Sequence, residues 1–219
     1  YVIVIEDFLD YLIITFERQQ SITIQPNHVS LEIEKLKKAL GSKILAEAKQ
    51  NGHTKLAAVL VIIYGSEPTI IMTQRPKTMN LHAGEISFPG GTWKQDDDID
   101  LLATALRETR EEIDLDIPKQ QVIGQLGTVT TLNSGFTITP FVTIQSDMPV
   151  LKPNSEIEEI LRIPLFPLLK TLADDIDPSH KSIQEMYTFR YWDKIIWGAS
   201  ARILKQMTNL LSNEMSEKS

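Results

Sequence analysis

The 219-residue chain contains no cysteine. That removes disulfides, zinc–thiolate centres and thiol nucleophiles from consideration. A basic surplus is also missing, since 22 Lys and Arg face 29 Asp and Glu, for a formal charge of −7. Nucleic-acid binders need a basic footprint, so no nucleic-acid partner is expected. The partners expected are a small molecule and whatever cations an acidic site draws. No apolar run is long enough to cross a bilayer. The most apolar stretch, YVIVIEDFLDYLIITF at residues 1–16, is shorter than the ~20 residues a span requires. It is also broken by Glu6, Asp7 and Asp10, and it has no basic leading region. A cytoplasmic, membrane-free protein is the expectation. Repeats and low-complexity tracts are absent too. A chain of this length with ordinary apolar content then reads as one sizeable domain, with or without an extension.

What is present changes character near residue 50. Residues 1–20 carry Val2, Ile5, Leu9, Leu12 and Phe16 at helical spacing, and also suit two short strands. SLEIEKLKKALGSKILAEA (30–48) predicts a helix, with Leu36, Leu40 and Ile44 on one stripe. NGHT at 51–54 is a break. These features predict an N-terminal, helical extension over 1–50 and a second unit over 51–219. The extension's apolar stripes need a partner, either the domain's own surface or a second copy of the chain in a homodimer.

Beyond the break, LAAVLVIIYG (56–65) and TIIMTQR (69–75) predict strands around a GSEP turn. A helix is expected from about Asp100 to Ile113. QVIGQLGTVTTL and FTITPFVTIQ flank NSG (133–135) as an antiparallel hairpin. A short helix is expected around 155–161 and a C-terminal one from about Trp197 to Leu211. Strands, helix, strands, helix make an α/β (α+β) protein, a mixed sheet between helices.

The 100–113 helix carries RETREE at 107–112. A helix turns by about 100° per residue, so Leu102, Leu106, Thr109 and Ile113 share a core-facing stripe. Glu108, Glu111 and Glu112 gather on another side, with Arg107 and Arg110 between. Clustered carboxylates form either a solvated face or a hard-oxygen site for Mg²⁺ or Mn²⁺. FPGG at 88–91 sits just ahead. Its glycines permit close backbone approach and bring a backbone carbonyl within reach of the same carboxylates.

Gly91, an acidic loop and Arg107-Glu108-x-x-Glu111-Glu112 together resemble the signature of the Nudix hydrolases, Mg²⁺-dependent enzymes that cut diphosphates linked to another moiety. Asp114 stands where that signature has Gly. Its loop is two residues longer here, and Asp98 or Asp100 stands in for the loop's Glu. Upstream, Thr73, Arg75, Gly84 and Phe88-Pro89-Gly90-Gly91 are similar to the coenzyme A pyrophosphatase subgroup, with Asn80 in place of an Arg and Pro76 in place of a small residue. NSEIEEILRIPL (154–165) and IWGASARIL (196–204) are similar to it as well.

The resemblance implies a Nudix-type sheet and hydrolysis of coenzyme A or a derivative to 4'-phosphopantetheine and 3',5'-ADP. It implies Mg²⁺ or Mn²⁺ held by Glu108, Glu111, Glu112 and the Gly90 carbonyl, with Arg107 orienting a glutamate through a bidentate pair. Glu108 or Glu156 is the expected general base. Arg75 is expected on a substrate phosphate. His82 is expected to touch substrate or order its loop. Trp93 is expected to stack on adenine or cap the core. ADP-ribose or another nucleoside diphosphate derivative is the alternative substrate, and a non-catalytic nucleotide-sensing module the alternative class.

Overall fold

The computed structural model describes residues 27–48, 55–79, 83–131, 135–175 and 186–216. Its elements are α1 (Asn27–Leu40), β1 (Lys55–Tyr64), β2 (Thr69–Gln74), β3 (Ile86–Ser87), β4 (Gly90–Thr92) and α2 (Leu101–Ile113). There follow β5 (Val122–Gln125), β6 (Val129–Thr130), β7 (Phe136–Gln145), β8 (Glu159–Pro164) and α3 (Leu165–Leu169). The last are β9 (Ala173–Asp174), β10 (Tyr187–Tyr191), β11 (Lys194–Ile196) and α4 (Gly198–Ser216).

β1 is the axis of a mixed sheet. It runs parallel to β7 along its whole length, Lys55 opposite Phe136 to Tyr64 opposite Gln145. Its other edge is shared, with β2 pairing at Ile62–Tyr64 and β4 at Ala57–Val59, both antiparallel. β8 extends the sheet beyond β2, and β5 and β6 extend it beyond β7. Side chains alternate across a strand, so KLAAVLVIIY is apolar on both faces because both are covered. Ala58, Leu60 and Ile62 join Leu101, Leu102, Ala105 and Ile113 of α2 in one cluster. Val61 and Ile63 face Leu36 and Leu40 of α1 and Ala201, Leu204 and Met207 of α4 in the other. The mixed sheet between helices is the architecture expected from the sequence.

Several boundaries differ. α1 ends at Leu40, not 48. The N–H of Gly41 donates to the Lys37 carbonyl at 2.8 Å, and the Ser42 hydroxyl donates to the Gln125 carbonyl at 2.7 Å. Ile44 therefore leaves the Leu36–Leu40 stripe and packs beside the second cluster. Residues 32–48 lie on the sheet as part of its packing, and Leu101 N–H donates to the Ala46 carbonyl at 2.9 Å. Residues 1–26 lie outside the described residues.

The helix expected at 155–161 is instead a turn followed by β8. Leu161 and Ile163 are buried on one face and Ile160 packs on the other. That period of two matches the open edge of β2. The short helix falls later, at Leu165–Leu169. The hairpin of β10 and β11 lay outside the expected elements altogether. The strands around GSEP, the α2 helix and the C-terminal helix lie where expected, within a few residues. No helix among the described residues is long and apolar enough to cross a membrane.

Candidate active site

The site is assembled by α2, β4, the end of β2 and the 151–158 loop. α2 starts cleanly because the Asp100 side chain accepts the Ala103 N–H at 2.7 Å, satisfying one orphan donor of the first turn. It ends at Asp114, which adopts φ 56°, ψ 37° and donates its N–H to the Arg110 carbonyl at 3.0 Å. The left-handed C-cap is the conformation that the Asp-for-Gly replacement requires and that Asp tolerates.

Glu112 is only 5% exposed. It borders the core stripe, deeper than Glu108 and Glu111 on the same side of the helix. Its Oε2 accepts the Gly90 N–H at 3.1 Å, and its Oε1 lies 3.9 Å from Arg75 Nη2. Burial raises its pKa to about 7; the Gly90 N–H and Arg75 oppose that, and the charges of Glu108 and Glu156 add to it.

Arg107 holds the rest of the helix edge. Its Nε and Nη2 each donate at 2.8 Å to the two oxygens of Asp98. Its Nη1 donates to Glu108 at 2.7 Å and to Glu111 at 3.2 Å. The expected bidentate partner was a glutamate; it is Asp98. The shorter Asp98 reaches because the 94–98 loop folds inward, and the Lys94 N–H and Thr104 hydroxyl donate to the same carboxylate at 3.1 and 3.0 Å. Asp100, the other candidate for this position, serves as the cap and pairs with Lys119. Asp98's hydrogen bonds raise the Arg107 pKa above its ordinary value against burial, with Glu108 adding to the effect.

Glu156 arrives from the 151–158 loop, which is pinned at both ends. Lys152 and Asn154 N–H donate to the last-turn carbonyls of Ile113 and Glu112 at 3.1 and 2.9 Å, and Glu158 N–H donates to the Gln74 carbonyl at 2.9 Å. Asn154 Oδ1 accepts the Glu156 N–H at 2.8 Å. That contact was not anticipated, although an Asn two residues ahead of a loop carboxylate is an Asx-turn signal. Arg75 Nη1 donates to Glu156 at 3.4 Å, so one guanidinium bridges Glu112 and Glu156. Trp93 caps the core. Its half-buried ring packs on the second cluster, and its indole N–H donates to the Asp98 carbonyl at 3.2 Å. His82 and Asn80 lie outside the described residues.

Among the described residues no three Asp, Glu or His side chains are grouped closely enough to cage an ion. Glu108 and Glu111 turn to Arg107 while Glu112 turns to Gly90. The donors are nonetheless all hard oxygens, and five carboxylates face two guanidiniums.

A domain-wide comparison decides the family. The family model of the NUDIX domain matches residues 54–185, more than half the chain. The chain belongs to the Nudix family. It is 34% identical over 154 residues to a Photorhabdus laumondii protein named uncharacterized Nudix hydrolase NudL, covering 69% of this chain and 81% of that one. A Yersinia pestis protein of the same name is 32% identical over 160 residues, covering 71% and 79%. The crystal structure of a MutT/nudix family protein from Enterococcus faecalis shares the fold, with a TM-score of 0.51 at 13% identity over 87% of this chain and 70% of that one. Nudix hydrolases as a class work with divalent metals such as Mg²⁺ or Mn²⁺.

The two glycines of this Nudix domain do different jobs. A Cβ on Gly90, at φ 153°, would meet the Ala58 carbonyl at 2.3 Å and Val59 Cα at 2.6 Å, both backbone. The three atoms nearest a Cβ on Gly91 all belong to the Glu108 carboxylate, with Cδ at 2.5 Å, the movable end of a side chain. Gly90→Ala is therefore expected to lose roughly 2–3 kcal/mol of stability. Gly91→Ala should melt within about 1 kcal/mol of the parent while displacing Glu108 and lowering turnover about tenfold, a 1.4 kcal/mol effect. Thermal melts and a hydrolysis assay on both variants check this, and equal melting points would refute the division of roles.

Proposed function

We propose that this Nudix hydrolase cuts the diphosphate bond of coenzyme A or a close derivative, giving 4'-phosphopantetheine and 3',5'-ADP. The observation that carries the chemistry is the convergence of Glu108, Glu111, Glu112, Glu156 and Arg75 on one edge of α2. Support for the substrate is the Thr73, Arg75, Gly84 and Phe88–Gly91 pattern, with its downstream counterparts at 154–165 and 196–204.

Glu108, Glu111, Glu112 and the Gly90 carbonyl would hold Mg²⁺ or Mn²⁺. The missing three-carboxylate cage does not oppose this, because Mg²⁺ keeps several waters and uses one or two carboxylates plus substrate phosphates. When bound, the cation supplies charge neutralisation at the phosphoryl oxygens and a more acidic water. The chain's own residues do the rest. Arg107, locked by Asp98, holds Glu108 and Glu111 in place. Arg75 has donors beyond those it gives to Glu112 and Glu156, and it meets a phosphate oxygen of the substrate. Glu156 is the more exposed carboxylate on the far side of Arg75, where it takes a proton from the attacking water.

The test is a panel of coenzyme A, dephospho-coenzyme A and ADP-ribose with Mg²⁺ and with Mn²⁺, resolved by product mass. Coenzyme A is expected to lead ADP-ribose by at least ~10-fold in kcat/KM, about 1.4 kcal/mol. Glu156→Gln is expected to lower kcat without raising KM. ADP-ribose as the best substrate would overturn the coenzyme A reading and leave the diphosphatase. No turnover on any diphosphate would favour a nucleotide-sensing module.

A further inference from the structure

β10 and β11 are joined by only two residues, because Tyr191 pairs with Lys194. Such loops take primed turns, and the version with φ > 0 at its first position ordinarily has glycine there. Here that position is Trp192, at φ 56°, while Asp193 has no positive φ. A bulky side chain in this conformation is an outlier, and burial does not offset it, since Trp192 is 84% exposed. Its ring stacks on Tyr191, with centroids 5.6 Å apart and planes 24° from parallel.

Beside this loop lies a pocket of about 400 Å³, within the size range of small-ligand sites. Asp193, Lys194 and Ile195 form its hairpin side, and Gln74, Lys77 and Glu158 are on its sheet side. Arg75 follows Gln74, and Glu158 is two residues from Glu156. The pocket and the acidic site are thus the two sides of one wall, the end of β2 tied to the 156–158 loop. Lys194 is held by Gln74 and by Glu159. Lys77, Glu158 and Asp193 make no ion pair among the described residues. The pocket therefore offers carboxylate acceptors and a free ammonium, and its lining residue Asp193 directly follows the exposed Trp192. A heteroaromatic ring with amino donors and an attached phosphate complements that set.

We propose that Trp192 is the stacking platform for the base of a nucleotide substrate, whose amino-bearing edge enters this pocket. This rests on the reading of the substrate as a nucleotide diphosphate derivative. An aromatic platform is sequence-tolerant and contributes to binding by face contact. Trp192 acts on specificity, apart from the bond-breaking groups.

Trp192→Gly is the deciding variant, because glycine suits φ 56° and the hairpin should melt no lower than the parent's. In the full chain, AMP is expected to quench tryptophan emission saturably, and ribose 5-phosphate to leave it unchanged. Trp192→Gly should abolish the AMP quench. It should also raise KM about tenfold for a base-bearing diphosphate, with kcat within about twofold, and leave a base-free diphosphate ester unaffected. Trp192→Phe should keep KM near the parent value. The AMP titration needs no turnover, so it reads the platform even where the hydrolysis assignment fails. An AMP quench that survives in Trp192→Gly would overturn the proposal. So would a KM rise equal for both ester types, or a shifted gel-filtration volume with KM unchanged, which would mark a contact between copies.

Discussion

Glu112→Gln is expected to lower turnover at least ~100-fold, about 2.7 kcal/mol of transition-state stabilisation, without unfolding the protein. The amide keeps the shape of the side chain, and its oxygen can still accept the Gly90 N–H that Glu112 accepts at 3.1 Å. What disappears is the negative charge. In the parent that charge is buried, opposed by the charges of Glu108 and Glu156 and relieved by Arg75 at 3.9 Å. A buried ion with so weak a partner opposes folding. In chelator-treated buffer the variant should therefore be at least as stable as the parent in urea melts. The pairing of lost activity with kept or gained stability separates a functional carboxylate from a structural one. Near-normal turnover at saturating Mg²⁺ would remove Glu112 from the reaction. A lower melting point in chelator would mean that its charge serves the fold.

The α2 edge was legible in sequence because helical periodicity is strict. Once Leu102, Thr109 and Ile113 are set inward, Glu112 must fall beside them and Glu111 away from them. Glu112 lies deepest of the three because the buried side of the helix runs through Ala105, while Leu106 is only half-buried. Ala105 is fully buried, and Glu112, about two helical turns on, lies on the same side and is 5% exposed. The bidentate partner of Arg107 was half legible. Both Asp98 and Asp100 lie in the right loop, and the choice between them depends on which one the cap uses. Only the folded loop shows that Asp100 caps and Asp98 turns inward.

Tertiary pairing overrode local signals elsewhere. EIEEILRIPL has both a helical and an alternating pattern, and β2's open edge chose the second. α1 stops early because Ser42 finds Gln125, a partner 83 residues away, which no local window contains. The β10–β11 hairpin was missed since Trp-Asp is not a turn signal. The conformation at Trp192 runs against the residue's own preference, which is why the sequence hides it.

Asp98→Ala is expected to destabilise the protein by roughly 3–5 kcal/mol, the usual cost of removing one partner from a buried ion pair. Asp98 is 4% exposed and accepts four hydrogen bonds: two from Arg107, one from the Lys94 N–H and one from the Thr104 hydroxyl. Alanine leaves the partly buried guanidinium with Glu108, Glu111 and a long 3.4 Å bond to the Thr92 carbonyl, and leaves the Thr104 hydroxyl only its 3.4 Å bond to the Asp100 carbonyl. Burial by itself would raise the Asp98 pKa, but the bonds from Arg107, Lys94 and Thr104 outweigh it and hold the carboxyl below its ordinary 3.8. A carboxyl depressed on folding stabilises the protein above its unfolded pKa, and that contribution is lost as pH falls through the lower folded value. The gap between parent and variant should then be constant above about pH 5 and narrow below about pH 4. Asp98→Asn, which keeps the shape and one acceptor oxygen, should fall between the two. Urea melts of the three proteins across that range measure it. A gap below about 1 kcal/mol at neutral pH, or one that does not close in acid, would show that the Asp98–Arg107 pair is not what anchors the acidic loop to α2.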